Sequence, residues 1–168
     1  MTFDLASYAN NMARYNQWIN GGLYSAAETL PPEQRRSECG LFFGSIYNTL
    51  NHLLVCDLMW LARFKKESVT VNSLTQELFG DYAQLRQARQ QTDKDIIAWA
   101  QSLALSPPPE RLNYVSLSSN TERSVDFAQA IVHFFNHQTH HRGQVTAALS
   151  QQGVDFGVTD LIFMPDEN

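Results

Sequence analysis

The chain has 168 residues, of which 43% are hydrophobic and 17% charged, a balance typical of one globular domain covering residues 1–168. Twelve basic and seventeen acidic side chains give a net charge of −5, which argues against a nucleic-acid-binding protein. The start of the chain, Met1 to Leu5, lacks a signal-peptide pattern, and no apolar stretch approaches the roughly 20 residues that span a bilayer. Two cysteines without CxxC spacing, Cys39 and Cys56, favour a cytoplasmic protein.

The first two predicted helices come from apolar periodicity. Apolar residues recur at steps of three and four from Leu5 to Leu30, and Pro31-Pro32 is expected to end that helix. A second helix is predicted from about Phe43 to Lys65. Because it is apolar on more than one side, we expect it to lie centrally in the fold or in a subunit interface.

A polar connection, 67–80, separates the second helix from a third one predicted from about Asp81 to Leu105. With one more helix near the C-terminus, the pattern predicts an all-α protein. Its architecture would be a four-helix bundle with a long crossover between helices 2 and 3.

Between the third and fourth helices, the segment from Arg111 to Val125 combines strand-forming residues with a Ser-Ser-Asn turn, which predicts a short hairpin before the last helix. Ser124 is expected to cap the fourth helix, which would continue to Gln152. Apolar residues of the C-terminal tail are expected to dock onto the bundle: Phe156, Leu161, Ile162 and Phe163.

Four of the five histidines lie in a nine-residue stretch of the predicted fourth helix: His133, His137, His140 and His141. The fifth, His52, lies on the predicted second helix. A spacing of four residues places His137 and His141 on one helical face, about 6 Å apart along the axis, where both can bind one metal ion. His133 and His137 share that spacing, so spacing alone leaves the pair open. Three histidines with open coordination positions are typical of a catalytic site.

Two other kinds of metal site are excluded by neighbouring residues. The H-E-x-x-H pattern needs a glutamate after its first histidine, and Gln138 occupies that position. Di-iron bundles need Glu-x-x-His pairs, and no histidine of this chain has a glutamate three residues before it. A mononuclear site is therefore expected.

The segment Asn136–Gln144 reads Asn-His-Gln-Thr-His-His-Arg-Gly-Gln and resembles the N-H-x-x-x-H-R-G-Q signature of the DinB-like (damage-inducible, YfiT-like) family. Asn51-His52, followed by Asp57 and Trp60, resembles the upstream histidine segment of that family. The likeness extends over nearly the whole chain.

This resemblance implies an up-down-down-up bundle, often a homodimer, in which three histidines bind nickel, zinc or a similar divalent ion. It selects His137 and His141 over His133. The third metal ligand is expected to be His52, the one histidine outside the fourth helix. Members of the wider fold include thiol S-transferases that use bacillithiol and mycothiol-dependent isomerases.

Four side chains near the expected ligands have alternative roles. Asp57 lies on an apolar stripe, where it would hold a ligand histidine, act as a catalytic base or pair with an arginine. Gln144 shares the face of His137 and would contact a metal-bound water or stabilise the helix. Arg142 would form a structural ion pair or bind a substrate carboxylate. Cys56 follows His52 by one turn and would approach the metal or behave as a small apolar residue.

The leading functional prediction is a metal-dependent thiol S-transferase-like enzyme, with Asp57 and Gln144 as catalytic candidates. Its partners would be a second copy of the chain, a low-molecular-weight thiol and a small electrophile, with no nucleic acid or membrane. One alternative is a non-catalytic metal-binding or interaction scaffold. The other is a metal-dependent hydrolase, which differs in using water as the nucleophile.

Overall fold

Helices dominate the computed structural model, which describes residues 4–166; residues 1–3 and 167–168, at the ends of the predicted domain, lie outside the described residues. In chain order the elements are α1 (Leu5–Glu28), α2 (Pro32–Arg36), α3 (Ile46–Lys65), α4 (Tyr82–Ser102), β1 (Arg111–Val115), β2 (Glu122–Asp126), α5 (Phe127–Gln151) and a 3-10 turn (Leu161–Phe163). The all-α prediction is confirmed. Within residues 4–166, no helix is long and apolar enough to cross a membrane.

The four long helices form a bundle in which α1 and α3 each pack against both α4 and α5. One apolar cluster at one end of the bundle contains residues from all four: Ala9, Phe64, Trp99 and Phe127. These residues come from the start of α1, the end of α3, the end of α4 and the start of α5. The helices therefore run up, down, down and up, and the connection between α3 and α4 is a crossover, as predicted.

Each long helix begins at a polar residue whose side chain accepts a hydrogen bond from a backbone N–H three residues later. The four capping residues are Asp4, Ser45, Asp81 and Asp126. The predicted second helix, from Phe43, is therefore too long at its start. Gly44 has a φ of +82°, which a helix does not allow, and Ser45 caps the helix that follows.

The hairpin before the last helix is present, with β1 and β2 antiparallel. The prediction that Ser124 caps the last helix is wrong, because Ser124 lies in β2 opposite Asn113 and the cap is Asp126, two residues later. The hairpin thus leads directly into α5 and fixes where that helix starts.

The C-terminal tail docks only in part. Phe156 packs, as expected, against a second apolar cluster at the other end of the bundle, which includes Leu23, Leu50, Leu85 and Leu149. Leu161, Ile162 and Phe163 are 40%, 86% and 64% exposed, so the prediction that they dock onto the bundle is wrong. The 3-10 turn is too short to direct all of its apolar side chains toward one surface.

A layer of polar side chains separates the two apolar clusters. It contains residues of all four long helices, each at most 3% exposed: Asn16, Asn20, Asp57, Arg89, Asp93, Gln138 and Arg142. Buried polar groups are tolerated when they bond to one another. The layer does this through two carboxylates that share one guanidinium.

Candidate metal centre

Three histidine rings meet where α3 packs against α5. The ring centroids of His137 and His141 lie 4.5 Å apart, and the His52 ring lies 5.4 Å from the first and 4.8 Å from the second. The spacing of four residues on α5 accounts for the first pair, and the antiparallel packing of α3 and α5 adds His52. The structure therefore brings together the three histidines predicted from the sequence.

His52 is oriented by the connection between α3 and α4. Its Nδ1 lies 2.9 Å from the carbonyl oxygen of Leu74. Because a carbonyl oxygen only accepts, Nδ1 carries the proton and donates, which leaves the lone pair of Nε2 for a metal ion. The neighbouring Asn51 holds the same connection: its side chain donates to the Gln76 carbonyl at 2.6 Å and accepts from the Leu78 N–H at 2.9 Å.

His141 is oriented from its own helix. Its Nδ1 lies 2.8 Å from Oε1 of Gln144, an amide oxygen that accepts a hydrogen bond. Nδ1 of His141 therefore carries the proton, which leaves the lone pair of Nε2 for a metal ion. The Gln144 amide nitrogen in turn lies 3.3 Å from His140. Of the two roles expected for Gln144, the structure shows a contact within the helix, made to a candidate ligand. A direct catalytic role for Gln144 stays a prediction.

Of the two alternatives for Cys56, the structure shows the one in which the side chain approaches the centre. Its Sγ is 3.4 Å from Nε2 of His52. His52, Cys56 and His137 each offer a donor atom, and these atoms lie within 4.8 Å of one another. Burial raises the pKa of the Cys56 thiol to about 12, which favours the protonated form. The choice between His141 and Cys56 as the third ligand stays a prediction.

Phe43 closes one side of the centre and was not expected there. Its ring stacks on that of His52 with centroids 3.8 Å apart and planes 23° apart, and it lies 5.6 Å from the His141 ring. The nearby Gly44 was the available signal, because a glycine before a helix cap indicates a turn that can direct the preceding side chain inward.

The electrostatics of the site favour neutral imidazoles. Burial lowers the pKa of His52 and of His141, and burial together with the neighbouring histidines lowers that of His137 to about 3. A neutral imidazole is the form that binds a metal ion. Neutral rings and two fixed Nε2 lone pairs therefore fit a divalent ion.

Without metal, the protein is expected to lose stability as the pH falls below about 6.5. In the unfolded chain His137 takes up a proton near pH 6.5, whereas in the folded protein its pKa is lowered to about 3. Between these pH values the unfolded state binds more protons than the folded state, so acid favours unfolding. The free energy of unfolding in urea at pH 7 and pH 5, after chelation, measures this.

The control for this pH effect is His137→Asn, which should depend less on pH. Burial raises the pKa of Asp93 to about 6, and this shift stabilises the folded state as the pH falls. It acts equally in the wild type and in the variant, so it does not affect the comparison. Equal slopes for the two proteins would contradict the expectation.

Asp57 and Arg142 belong to the polar layer. The two carboxylate oxygens of Asp57 accept from Arg89 at 2.5 Å and from Gln138 at 2.8 Å, so the arginine pair is the alternative that the structure shows. Arg142 donates to Asn16 and to a threonine hydroxyl, and among residues 4–166 it forms no ion pair with a carboxylate. A catalytic role for Asp57 stays a prediction.

The two remaining histidines lie at the edge of the centre. The His133 ring is 6.0 Å from that of His137 and 5.2 Å from the Trp60 ring. The His140 ring is 5.0 Å from that of His141. Both side chains are exposed, in contrast to His52.

Comparison with known proteins matches residues 5–168 to the DinB family. A curated relative, Protein DinB of Bacillus subtilis (strain 168), is 24% identical over 159 residues, which cover 93% of this chain and 92% of that protein. The resemblance carried by the two histidine segments is thereby confirmed. With a family match over almost its whole length, this chain belongs to the DinB family.

Proposed function

We propose that this chain binds one divalent metal ion through His52, His137 and His141 and transfers a low-molecular-weight thiol to an electrophile. The observation that supports it most directly is the fixed orientation of two rings. His52 and His141 each donate from Nδ1 to an oxygen of the protein, as metal-binding histidines almost always do.

A bound nickel or zinc ion would supply Lewis acidity, which lowers the pKa of a thiol or water. The protein contributes neutral imidazoles, which add no negative charge to the site. Cys56 stays protonated in this proposal, because burial disfavours its thiolate. Asp57 acts by positioning, since Gln138, which donates to it, lies on α5 between His137 and His141.

A non-catalytic metal-binding scaffold is the second candidate, and one observation favours it. Both oxygens of Asp57 are engaged by Arg89 and Gln138, so the carboxylate expected to transfer protons has partners already. A hydrolase uses water in place of the thiol as the nucleophile, so metal-dependent activity in the absence of thiol distinguishes the two.

The test is a screen of thiols against an electrophile, 1-chloro-2,4-dinitrobenzene, using metal-loaded protein. In the reaction a carbon–sulfur bond forms, the carbon–chlorine bond breaks, chloride leaves and the thiol proton passes to solvent. Bacillithiol, mycothiol, glutathione and coenzyme A would be compared, with thioether formation followed by absorbance. We expect turnover that chelation removes and added metal restores, and that His137→Ala lacks.

Two results would favour the other candidates. Tightly bound metal without turnover of any thiol would support the scaffold. Metal-dependent cleavage of ester or amide substrates in the absence of thiol would support the hydrolase.

Replacing Gln144 by alanine is expected to weaken metal binding about 10- to 100-fold, the usual effect of losing a group that orients a ligand histidine. The reason is the bond between Gln144 and Nδ1 of His141. Gln144→Glu keeps an acceptor and should retain most affinity, and the exposed Gln151→Ala is the matched control. Competition with a chelating dye measures the dissociation constants; equal values for the two alanine variants would contradict this role.

We also propose that the chain forms a homodimer, which rests on the family resemblance. The apolar character of α3 no longer supports it, because nearly the whole helix is buried within one chain. Sedimentation velocity at micromolar concentration should give twice the mass of the chain. A monomer that retains its helical signal would contradict the proposal.

A further inference from the structure

A second feature adjoins the metal centre. A surface cavity of about 290 Å³ lies between α3, α5 and the hairpin. Its lining residues are Trp60, Tyr114, Val125, Gln129, Ala130 and His133. The lining includes none of the three proposed metal ligands.

The cavity continues the row of side chains that forms the metal centre. On α3, His52, Cys56 and Trp60 occupy successive turns; on the antiparallel α5, His137 and His133 do the same. The His133 ring lies 5.2 Å from Trp60 and 6.0 Å from His137. The cavity therefore begins one helical turn from the candidate ligands.

Two aromatic walls of the cavity are held in place. The Trp60 and Tyr114 rings meet edge to face with centroids 5.4 Å apart. The Arg63 guanidinium lies 4.8 Å from the first ring and 4.2 Å from the second, and it also donates to the Val115 carbonyl at 3.3 Å. Trp60 and Arg63 are at most 9% exposed and Tyr114 is half-buried, so packing holds both rings in place.

The opposite side of the cavity supplies polar groups. Within the part of the chain that the structure describes, neither the Gln129 side chain nor the His133 ring forms a hydrogen bond with another protein group. Gln129 carries two N–H donors and one acceptor, and a histidine ring carries further hydrogen-bonding nitrogens. These groups are available to substituents of a ring that lies on the aromatic walls.

We propose that this cavity binds the aromatic ring of an electron-poor electrophile with acceptor substituents such as nitro or carbonyl groups. The faces of indole and phenol rings are negative, which complements an electron-poor ring. An engineered cavity of about 150 Å³ binds benzene, so one substituted ring fits here. The proposal rests on the transferase function, since it places the acceptor carbon beside the metal centre.

The test uses 1,3-dinitrobenzene, which has the same electron-poor ring and no chloride to lose. Carbon-labelled methyl groups of Ala130 and Val125 report binding by NMR titration, in metal-free and in metal-loaded protein. Gln129→Trp should fill the cavity. Its matched control is Val132→Trp, which adds the same side chain at an exposed position of α5 outside the lining.

We expect saturable shifts of both methyl groups in the wild type. The dissociation constant should rise at least about tenfold in Gln129→Trp, the scale of 1.4 kcal/mol, and stay unchanged in Val132→Trp. In the transferase assay Gln129→Trp should raise the KM for the electrophile and leave that for the thiol unchanged. Shifts confined to other methyl groups, or equal effects of the two tryptophan variants, would overturn the assignment.

Binding and turnover can fail separately. His137→Ala should still bind dinitrobenzene, because the cavity lies outside the candidate ligands. Binding by the wild type without any thiol transfer would refute the proposed function and leave an aromatic-binding cavity. Thiol transfer with an unchanged electrophile KM in Gln129→Trp would refute the cavity assignment alone.

Discussion

Replacing His52, His137 or His141 by alanine is expected to remove most of the bound metal from the purified protein. Each replacement deletes one of the three proposed ligands. The metal affinity should therefore fall further than it does when a residue that only orients a ligand is lost, which costs about 10- to 100-fold. Elemental analysis of protein passed through a desalting column measures the metal content, and competition with a chelating dye measures the affinity.

Three neighbouring variants serve as controls for the ligand set. His133→Ala and His140→Ala should keep their metal, because their rings lie at the edge of the cluster. Cys56→Ser should also keep it if the thiol remains protonated. Loss of metal in Cys56→Ser together with retention in His141→Ala would show that His52, Cys56 and His137 are the ligands instead.

Local patterns predicted the helices and the histidine cluster because both depend on spacing within one element. Two histidines four residues apart on a helix share a face in any fold. His52 joins this pair because α3 packs against α5 in the bundle. His52 was expected because it is the one histidine outside the last helix. The family resemblance was needed for a different choice, that of His141 over His133, which spacing leaves as equal alternatives.

What the sequence did not predict depends on irregular backbone and on distant packing. Phe43 covers His52 because a turn at Gly44 precedes the helix, and the Leu74 carbonyl reaches His52 from a connection without periodicity. The polar layer was missed for a related reason. Gln138 and Asp57 are 81 positions apart, and polar residues on α4 look like a solvent-exposed face until their partners are known.

Replacing Arg89 by methionine is expected to destabilise the protein by about 3–5 kcal/mol, the usual result of removing one partner from a buried ion pair. Arg89 is 2% exposed and pairs with both Asp57 and Asp93, so its loss leaves two buried carboxylates without an ion-pair partner, with Arg142 as the remaining cation of the polar layer. Burial already raises the pKa of Asp93 to about 6 with the arginine in place. Urea unfolding followed by circular dichroism measures the free energy of unfolding.

Two further variants determine whether charge is the cause. Arg86→Met, one turn earlier on α4, breaks a partly exposed pair with Glu28 and should cost less than about 1 kcal/mol. Combining Arg89→Met with Asp93→Asn leaves Asp57 and Arg142 as one buried charge of each sign and should recover part of the lost stability. If this double variant is no more stable than Arg89→Met, the layer is held by shape and amide bonding instead. Since Gln138 joins the layer to α5 between His137 and His141, the metal affinity of these variants also tests whether the layer positions the ligands.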